Sequence, residues 1–154
     1  MSGLFDTPKQ TFLGSGATRL DMDTDVIKAR LCDKTVDLAT IDYSATSMTP
    51  IPQGTGGGGT TDQTLTSPAF VLNGGTRGAT TAPATCAFDA ADATWTAVTQ
   101  VSSKTVGAIV IYKFVTNDAG SMPVCLIDGF TAVVPNGGNI TAVFDSGNNR
   151  IFAI

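Results

Sequence analysis

The sequence predicts an all-β chain, in the form of an antiparallel β-sandwich resembling a jelly roll. Short apolar or alternating segments recur about every ten residues, and Gly-, Asn- and Asp-rich turn signals separate them. No helical pattern longer than two turns is present. The longest apolar run, Val106–Val115, is far shorter than the roughly 20 residues that cross a membrane as a helix.

The segment 86–114 is predicted to organise the fold. It contains the only Trp, Trp95, and the run Val106–Phe114, which is crowded with β-branched and aromatic side chains. Such a run predicts a central strand that is covered on both faces. An indole buries on the order of 200 Å², so a structural role for Trp95 is favoured over ligand stacking. The predicted structural core consists of Trp95, Ile109, Ile111, Tyr112 and Phe114.

The length of 154 residues predicts a single domain with its own core. Residues 1–20 are predicted to form an N-terminal arm or short helix. Thr7 and Pro8 suit a helix start, Gln10 completes a capping box, and the glycines that follow end the helix early. The same segment is also compatible with an extended arm that docks on the domain.

A long, flexible, Pro/Gly-rich loop is predicted over residues 44–68. Pro50, Pro52 and the glycines Gly54 and Gly56–Gly59 exclude a helix or a central strand there. The glycines do not form a phosphate-binding loop, because Thr60 follows them where a Lys is required. Long loops in compact domains are commonly functional or disordered.

The first regular strand is predicted at Val26–Cys32, where alternation places Lys28 and Arg30 on a solvent-facing side. The turn at Asn73–Gly75 predicts a hairpin between the strands on either side of it. The remaining predicted strands are Val36–Ile41, Ala69–Leu72, Thr76–Thr81, Thr85–Phe88, Val124–Ile127, Phe130–Val134, Ile140–Phe144 and Ile151–Ile154.

Composition argues against several classes of function. The net charge is −4 and the nine Lys and Arg residues are scattered singly, so no nucleic-acid partner is expected. The chain has no His, the commonest general base and zinc ligand. Charged residues make up 14%, against roughly 25% in typical domains, which suits a surface packed against neighbours.

The cysteines and the N-terminus indicate a cytosolic environment. Cys32, Cys86 and Cys125 are far apart and lack CxxC spacing, so buried thiols are favoured over disulfides or zinc ligation. The N-terminus has no basic segment followed by an apolar one, so neither a secretory signal nor a membrane partner is expected.

Two acidic patterns in the sequence are candidate sites. The run Asp21–Asp25 opens like a calcium loop, but Val26 and Cys32 occupy the positions that require Gly and Glu. Asp89 and Asp92 beside Trp95 are compatible with a glycosidase cleft, yet turn chemistry is favoured. A Ser or Thr nucleophile would lack a base. We therefore expect no enzyme and no catalytic, cofactor-binding or metal-binding residue.

Several motifs together resemble small structural proteins of tailed bacteriophages. They are FDAADATWTAV at 88–98, GAIVIYK at 107–113, LDMDTDVIKARL at 20–31, FDT at 5–7 and an expected final hairpin. The resemblance covers about half of the chain, and residues 44–83 depart from it. Some similar proteins are jelly-roll cement proteins that decorate capsids.

This resemblance implies a virion protein made in the host cytoplasm and located on the capsid surface. Its implied function is decoration of the head, with the major capsid protein as partner and self-association as a dimer or trimer. A tail, neck or fibre-base subunit is the alternative, followed by a carbohydrate-binding sandwich that uses Trp95. The candidate interface consists of Leu4, Phe5, Phe12, Gly56, Gly57, Gly58 and Gly59.

Overall fold

A computed structural model describes residues 3–5, 20–21, 24–33, 44–51, 53–54, 56–57, 62–73, 85–144 and 151–153. Over these ranges the chain is all-β and every strand pairing is antiparallel, which confirms the predicted fold class at this level. No helix in the same ranges is long and apolar enough to span a bilayer.

The described residues form twelve strands. They are β1 (Gly3–Leu4), β2 (Ile27–Asp33), β3 (Gly56–Gly57), β4 (Gln63–Thr64), β5 (Ala69–Asn73), β6 (Thr85–Asp89), β7 (Ala93–Trp95), β8 (Val98–Thr99), β9 (Val106–Lys113), β10 (Met122–Ile127), β11 (Ile140–Ala142) and β12 (Phe152–Ala153).

The largest sheet has five strands in the order β1-β10-β9-β2-β4. Strand β9 lies at its centre, with Ile111 opposite Ala29 of β2 and Cys125 of β10. Every residue of β9 except Lys113 is buried, so the prediction of a central strand covered on both faces is confirmed. Its β-branched side chains favour this position because they pack well on a pleated, enclosed surface.

Three smaller sheets accompany it, with the orders β12-β6-β5, β11-β7 and β3-β8. Strand β5 pairs with β6, and the predicted strands 76–81 and 36–41 lie outside the described residues. Strands β11 and β12 join different sheets, so the expected final hairpin is wrong. The predicted strand Phe130–Val134 is also wrong, because only Val133 forms a single bridge, to Val106.

An inner core lies on one face of the five-stranded sheet and is shared with strands of the smaller sheets. Trp95 and Phe88 contribute to it from β7 and β6, and Ile109 and Ile111 from β9. Its buried members are Leu20, Ile27, Ala29, Leu31, Leu65, Phe88, Ala93, Trp95, Val98, Val106, Ile109, Ile111, Val124, Cys125 and Ile151. Burial raises the pKa of the Cys125 thiol to about 12.

An outer core covers the opposite face of the same sheet. Successive side chains of a strand point to opposite faces, so Val110 and Tyr112 lie here while Ile109 and Ile111 lie inside. The outer core consists of Phe5, Cys32, Met48, Ile51, Ala108, Val110, Tyr112 and Leu126.

Candidate functional site

Arg30 projects from β2 toward the outer core and lies at the centre of a polar cluster. The sequence places this side chain in solvent, but Arg30 is only 4% exposed, so that prediction is wrong. The reason is that Met48, Ile51 and Asp62, which are far from β2 in sequence, lie on this face of the sheet and cover it. A buried guanidinium requires acceptors for its five N–H groups, and the chain supplies them from distant segments.

Two carboxylates bind the guanidinium of Arg30. Asp62 accepts from Nε at 3.0 Å and from Nη2 at 2.7 Å, both at Oδ2. Asp118 accepts from Nη2 at 2.8 Å and from Nη1 at 3.1 Å. Nη1 also donates to the carbonyl of Ile51 at 2.7 Å. We call Arg30, Asp62, Asp118 and Tyr112 the arginine cluster, because the Tyr112 hydroxyl donates to Asp62 at 2.7 Å.

The electrostatics of the arginine cluster favour one protonation state. Burial by itself would lower the pKa of Arg30, but hydrogen bonds and charge from Asp62 and Asp118 outweigh it, and the pKa is raised. Burial and the hydrogen bond to Asp62 raise the pKa of the Tyr112 phenol. The guanidinium therefore stays charged and the phenol stays protonated, so Tyr112 does not supply a phenolate nucleophile or base at neutral pH.

The described residues of the stretch 44–54 form a cover over the outer core. Met48 and Ile51 are 0% and 1% exposed, and they pack against β9. The amide of Met48 donates to the carbonyls of Asp118 and Ser121, each at 3.0 Å. The amide of Gly54 donates to the carbonyl of Leu31 at 3.0 Å. The arginine cluster thus fastens this cover to the sheet and is a structural clamp.

An apolar groove of about 440 Å³ opens on the other side of the five-stranded sheet. Its walls come from β2, β9 and the end of β10, and from the segment 130–144. Two valines of its lining face solvent, Val133 at 42% and Val143 at 74% exposure. The lining residues are Leu31, Val106, Ile109, Ile127, Phe130, Thr131, Val133, Ile140, Thr141, Ala142, Val143, Phe144 and Ile151.

The residues of the predicted core occupy both sides of the sheet. Trp95 is fully buried, Ile109 and Ile111 lie with it in the inner core, and Tyr112 lies in the outer core. Phe114 is partly buried against the outer core, with Lys28 Nζ 3.7 Å from its ring centre. Trp95 exposes no face to a sugar, so the carbohydrate-binding alternative loses the side chain on which it was based.

The residues of the candidate interface are distributed differently. Leu4 lies in β1, and Phe5 is 0% exposed within the outer core of its own chain. Gly56 and Gly57 form β3 and pair with β8. Phe12, Gly58 and Gly59 lie outside the described residues.

The acidic side chains of the two patterns bind backbone amides and one lysine, both nearby and far along the chain. Asp89 accepts from the amide of Ala90 at 2.9 Å, and Asp92 accepts from the amide of Phe144 at 3.0 Å. Asp25 accepts from the amide of Asp21 at 2.8 Å and pairs with Lys113 at 2.7 Å. No group of three or more His, Cys, Asp or Glu side chains arranged to hold a metal ion occurs in the described ranges.

The arginine cluster escaped prediction because its members carry no local signal. Arg30 alternates with apolar neighbours as Lys28 does, and Asp62 and Asp118 occur in segments whose composition indicates turns. The three side chains are brought together across 32 and 88 residues of sequence.

No protein-family model, curated protein or solved structure matches this chain. The resemblance to virion proteins stays a prediction.

Proposed function

We propose that this chain is a virion structural protein of the capsid decoration or cement type. It binds the assembled shell of the major capsid protein and stabilises the head. The observation that carries the proposal is the apolar groove with solvent-facing valines on its rim. The motifs at 20–31, 88–98 and 107–113 support it, since they resemble those of small phage structural proteins.

The groove has the character of a protein-binding surface. Large exposed apolar side chains that cluster around a concavity favour a partner, whereas single scattered ones have no such meaning. Val133 and Val143 both line the groove, and Phe130 and Phe144 are only partly buried beside it. An apolar segment of the capsid protein would bury these side chains and exclude water from the groove.

The finer architecture that we propose is a jelly-roll-like β-sandwich. In support, the inner core joins the five-stranded sheet to residues of β6, β7 and β8. Two packed antiparallel layers would hold the groove rigidly, so binding would cost little conformational entropy. A modest interface of this kind, repeated around a shell, adds up to a large stabilisation of the particle.

The test uses expanded heads that lack decoration. We expect the purified protein to co-sediment with these heads and to raise the temperature at which they disrupt. Val143→Asp, which places a charge on the rim of the groove, should weaken binding by at least about tenfold, since burying an unpaired carboxylate is unfavourable.

Val115→Asp is the matched control. Val115 is 55% exposed and lies two residues beyond the end of β9, whereas Val133 bridges Val106 at the start of β9. The two ends of β9 are seven residues apart, about 23 Å at ~3.3 Å per residue. Binding by Val115→Asp should equal that of the wild type. If the wild-type protein neither binds the heads nor stabilises them, the proposal is wrong; a few copies confined to one vertex would favour the tail, neck or fibre-base alternative.

A further inference from the structure

The segment 134–139 connects two parts of the chain that line the groove, and it contains an Asn-Gly pair. The lining residues are Phe130, Thr131 and Val133 before this segment and Ile140–Phe144 after it. Within the segment, Asn136 and Gly137 are exposed, and Gly137 has a φ of +89°. In such a pair the backbone nitrogen readily attacks the preceding side chain, because glycine has no Cβ to obstruct the approach.

The side chain of Asn136 is held in position for this attack. Its Oδ1 accepts a hydrogen bond from the amide of Gly138 at 3.0 Å. A bond from a side-chain oxygen to the amide two residues ahead folds the carboxamide back along its own main chain. The carboxamide carbon Cγ is thereby kept beside the amide nitrogen of Gly137. The same N–H of Gly138 also stabilises negative charge on Oδ1 when a nucleophile adds to Cγ.

Strand β8 restrains the attacking nitrogen. The amide of Gly137 donates to the carbonyl of Val98 at 2.7 Å, and the amide of Val98 donates to the carbonyl of Gly138 at 2.9 Å. Val98 is 0% exposed and belongs to the inner core, so this pairing is anchored in the fold. The nitrogen attacks only after it has lost its proton, and the short bond to Val98 holds that proton. The nitrogen therefore becomes reactive when this bond opens.

We propose that Asn136 is a site of self-modification, where loss of ammonia converts the carboxamide to a carboxylate, and that β8 controls the rate. The nitrogen of Gly137 gives its proton to hydroxide and bonds to Cγ of Asn136. The Cγ–Nδ2 bond breaks, and Nδ2 takes a proton from water and leaves as ammonia. Water then opens the resulting succinimide ring at either carbonyl, which gives aspartate or isoaspartate. In sum, one water is consumed and one ammonia is released, without any oxidant or other reactant.

Conversion of Asn136 changes the charge and the length of the segment beside the groove. Residues 129–144 contain no charged side chain, so either product introduces a negative charge there. Isoaspartate also lengthens the main chain by one carbon between the two parts that line the groove. Both changes disfavour an apolar partner, so conversion should weaken binding to the shell. This consequence rests on the proposed function, whereas the reaction itself does not.

The experiment incubates the purified full chain at mildly alkaline pH, once folded and once in guanidinium chloride. Tandem mass spectrometry after digestion at acidic pH measures conversion at Asn136 separately from the other Asn-Gly pair, at 73–74. We expect conversion in the folded chain to be about tenfold slower than in the denatured chain, because a hydrogen bond of ordinary net strength lowers the open population by about that factor. Asn139 is also exposed but precedes the β-branched Ile140, so it should stay unconverted in the folded sample.

Two variants locate the restraint. Val98→Ala shortens a buried side chain of β8 and loosens its pairing with the Asn-Gly pair, so conversion in the folded chain should approach the denatured rate. Val124→Ala is the matched control, because Val124 is likewise 0% exposed in the inner core but lies in β10. It should leave the rate of conversion unchanged.

Three results would overturn the inference. Absence of conversion at Asn136 in the folded chain, while the denatured chain converts, would show that the native protein has no such site. Equal rates in the folded and denatured chains would show that the fold does not restrain the reaction. Equal acceleration by Val98→Ala and Val124→Ala would show that β8 has no special part in it.

The effect on the groove is measured with undecorated heads after prolonged incubation of the protein. Asn136→Gln is the control, because its longer side chain cannot form the succinimide ring. We expect the incubated wild type to bind the heads more weakly than the incubated variant, and equal binding would contradict the effect on the groove. Because conversion is measured without heads, failure of the fresh protein to bind them would overturn the proposed function alone.

Discussion

Arg30 is the residue whose environment differs most from its sequence pattern. Its guanidinium joins β2 to Asp62 before β4, to Asp118 after β9, and to the carbonyl of Ile51. A buried ion pair adds little net stability over apolar residues, but it becomes costly when one partner is lost. The arginine cluster therefore contributes to the conformational specificity of the fold, because it fixes where the residues of the cover lie on the sheet.

Substitution of Arg30 should be strongly destabilising. Arg30→Met leaves Asp62, whose side chain is 11% exposed, without its charged partner, and we expect a loss of about 3–5 kcal/mol in the free energy of unfolding. Urea denaturation measures it. Asp118→Asn is the comparison, because the Asp118 side chain is 47% exposed and its loss should not exceed about 1 kcal/mol. Equal, small losses in both variants would contradict the clamp.

Tyr112 makes the stability of the protein depend on pH in the alkaline range. Its phenol pKa is raised in the folded chain, by burial and by the hydrogen bond to Asp62, so the folded state holds the proton more tightly than the unfolded state. The resulting stabilisation is complete below the unfolded pKa of about 10 and is lost as the pH rises toward the folded pKa.

Tyr112→Phe isolates this contribution. Near neutral pH the variant should lose about 1–2 kcal/mol, because the hydroxyl no longer donates to Asp62. Between pH 10 and about 12 the free energy of unfolding should fall more steeply in the wild type than in the variant. Parallel pH profiles from chemical denaturation would show that Tyr112 titrates no differently in the folded and unfolded chains.

At the scale of elements, the cover depends on one close approach to β2. Gly54 lies against the backbone of Asp33 and Cys32, and a Cβ added to Gly54 would come within 2.7 Å of the carbonyl carbon of Cys32. Backbone atoms cannot give way as the tip of a side chain can. Glycine at this position therefore serves close packing of one segment on another, in addition to the loop flexibility that composition suggests.

Gly54→Ala should push the cover away from β2. We expect a loss of about 1–3 kcal/mol in the free energy of unfolding, together with faster amide exchange at Met48 and Ile51. Gly120→Ala is the matched control, since the nearest atoms to its added Cβ are 3.8 Å away and its stability should change by less than about 0.5 kcal/mol. Similar stability of the two variants would contradict the close approach.

At the scale of the whole molecule, the five-stranded sheet lies between two cores. Trp95 anchors the inner core, and Tyr112 and Phe5 anchor the outer core. Because β9 contributes alternate side chains to each, damage to either side weakens the same strand. This arrangement suits a rigid building block, in which one sheet carries the groove on its inner-core side and the arginine cluster on its outer-core side.

The sequence by itself determined the all-β class, the central place of β9 and the burial of Trp95. These features follow from local composition. β-Branched residues favour strands, an indole favours burial, and Gly, Asn and Asp favour turns, whatever segments later pack against them. The predicted starts at Val106, Thr85, Ala69 and Ile140 coincide with the strand starts for the same reason.

The tertiary structure alone decided which segments meet. Strand β5 takes β6 as its partner across residues 74–84, and β11 pairs with β7 and not with β12. Val133 makes one bridge and faces solvent, although its neighbours are apolar enough for a strand. Arg30 is buried because residues far along the chain cover it, and alternation along a single strand carries no information about what packs against its face.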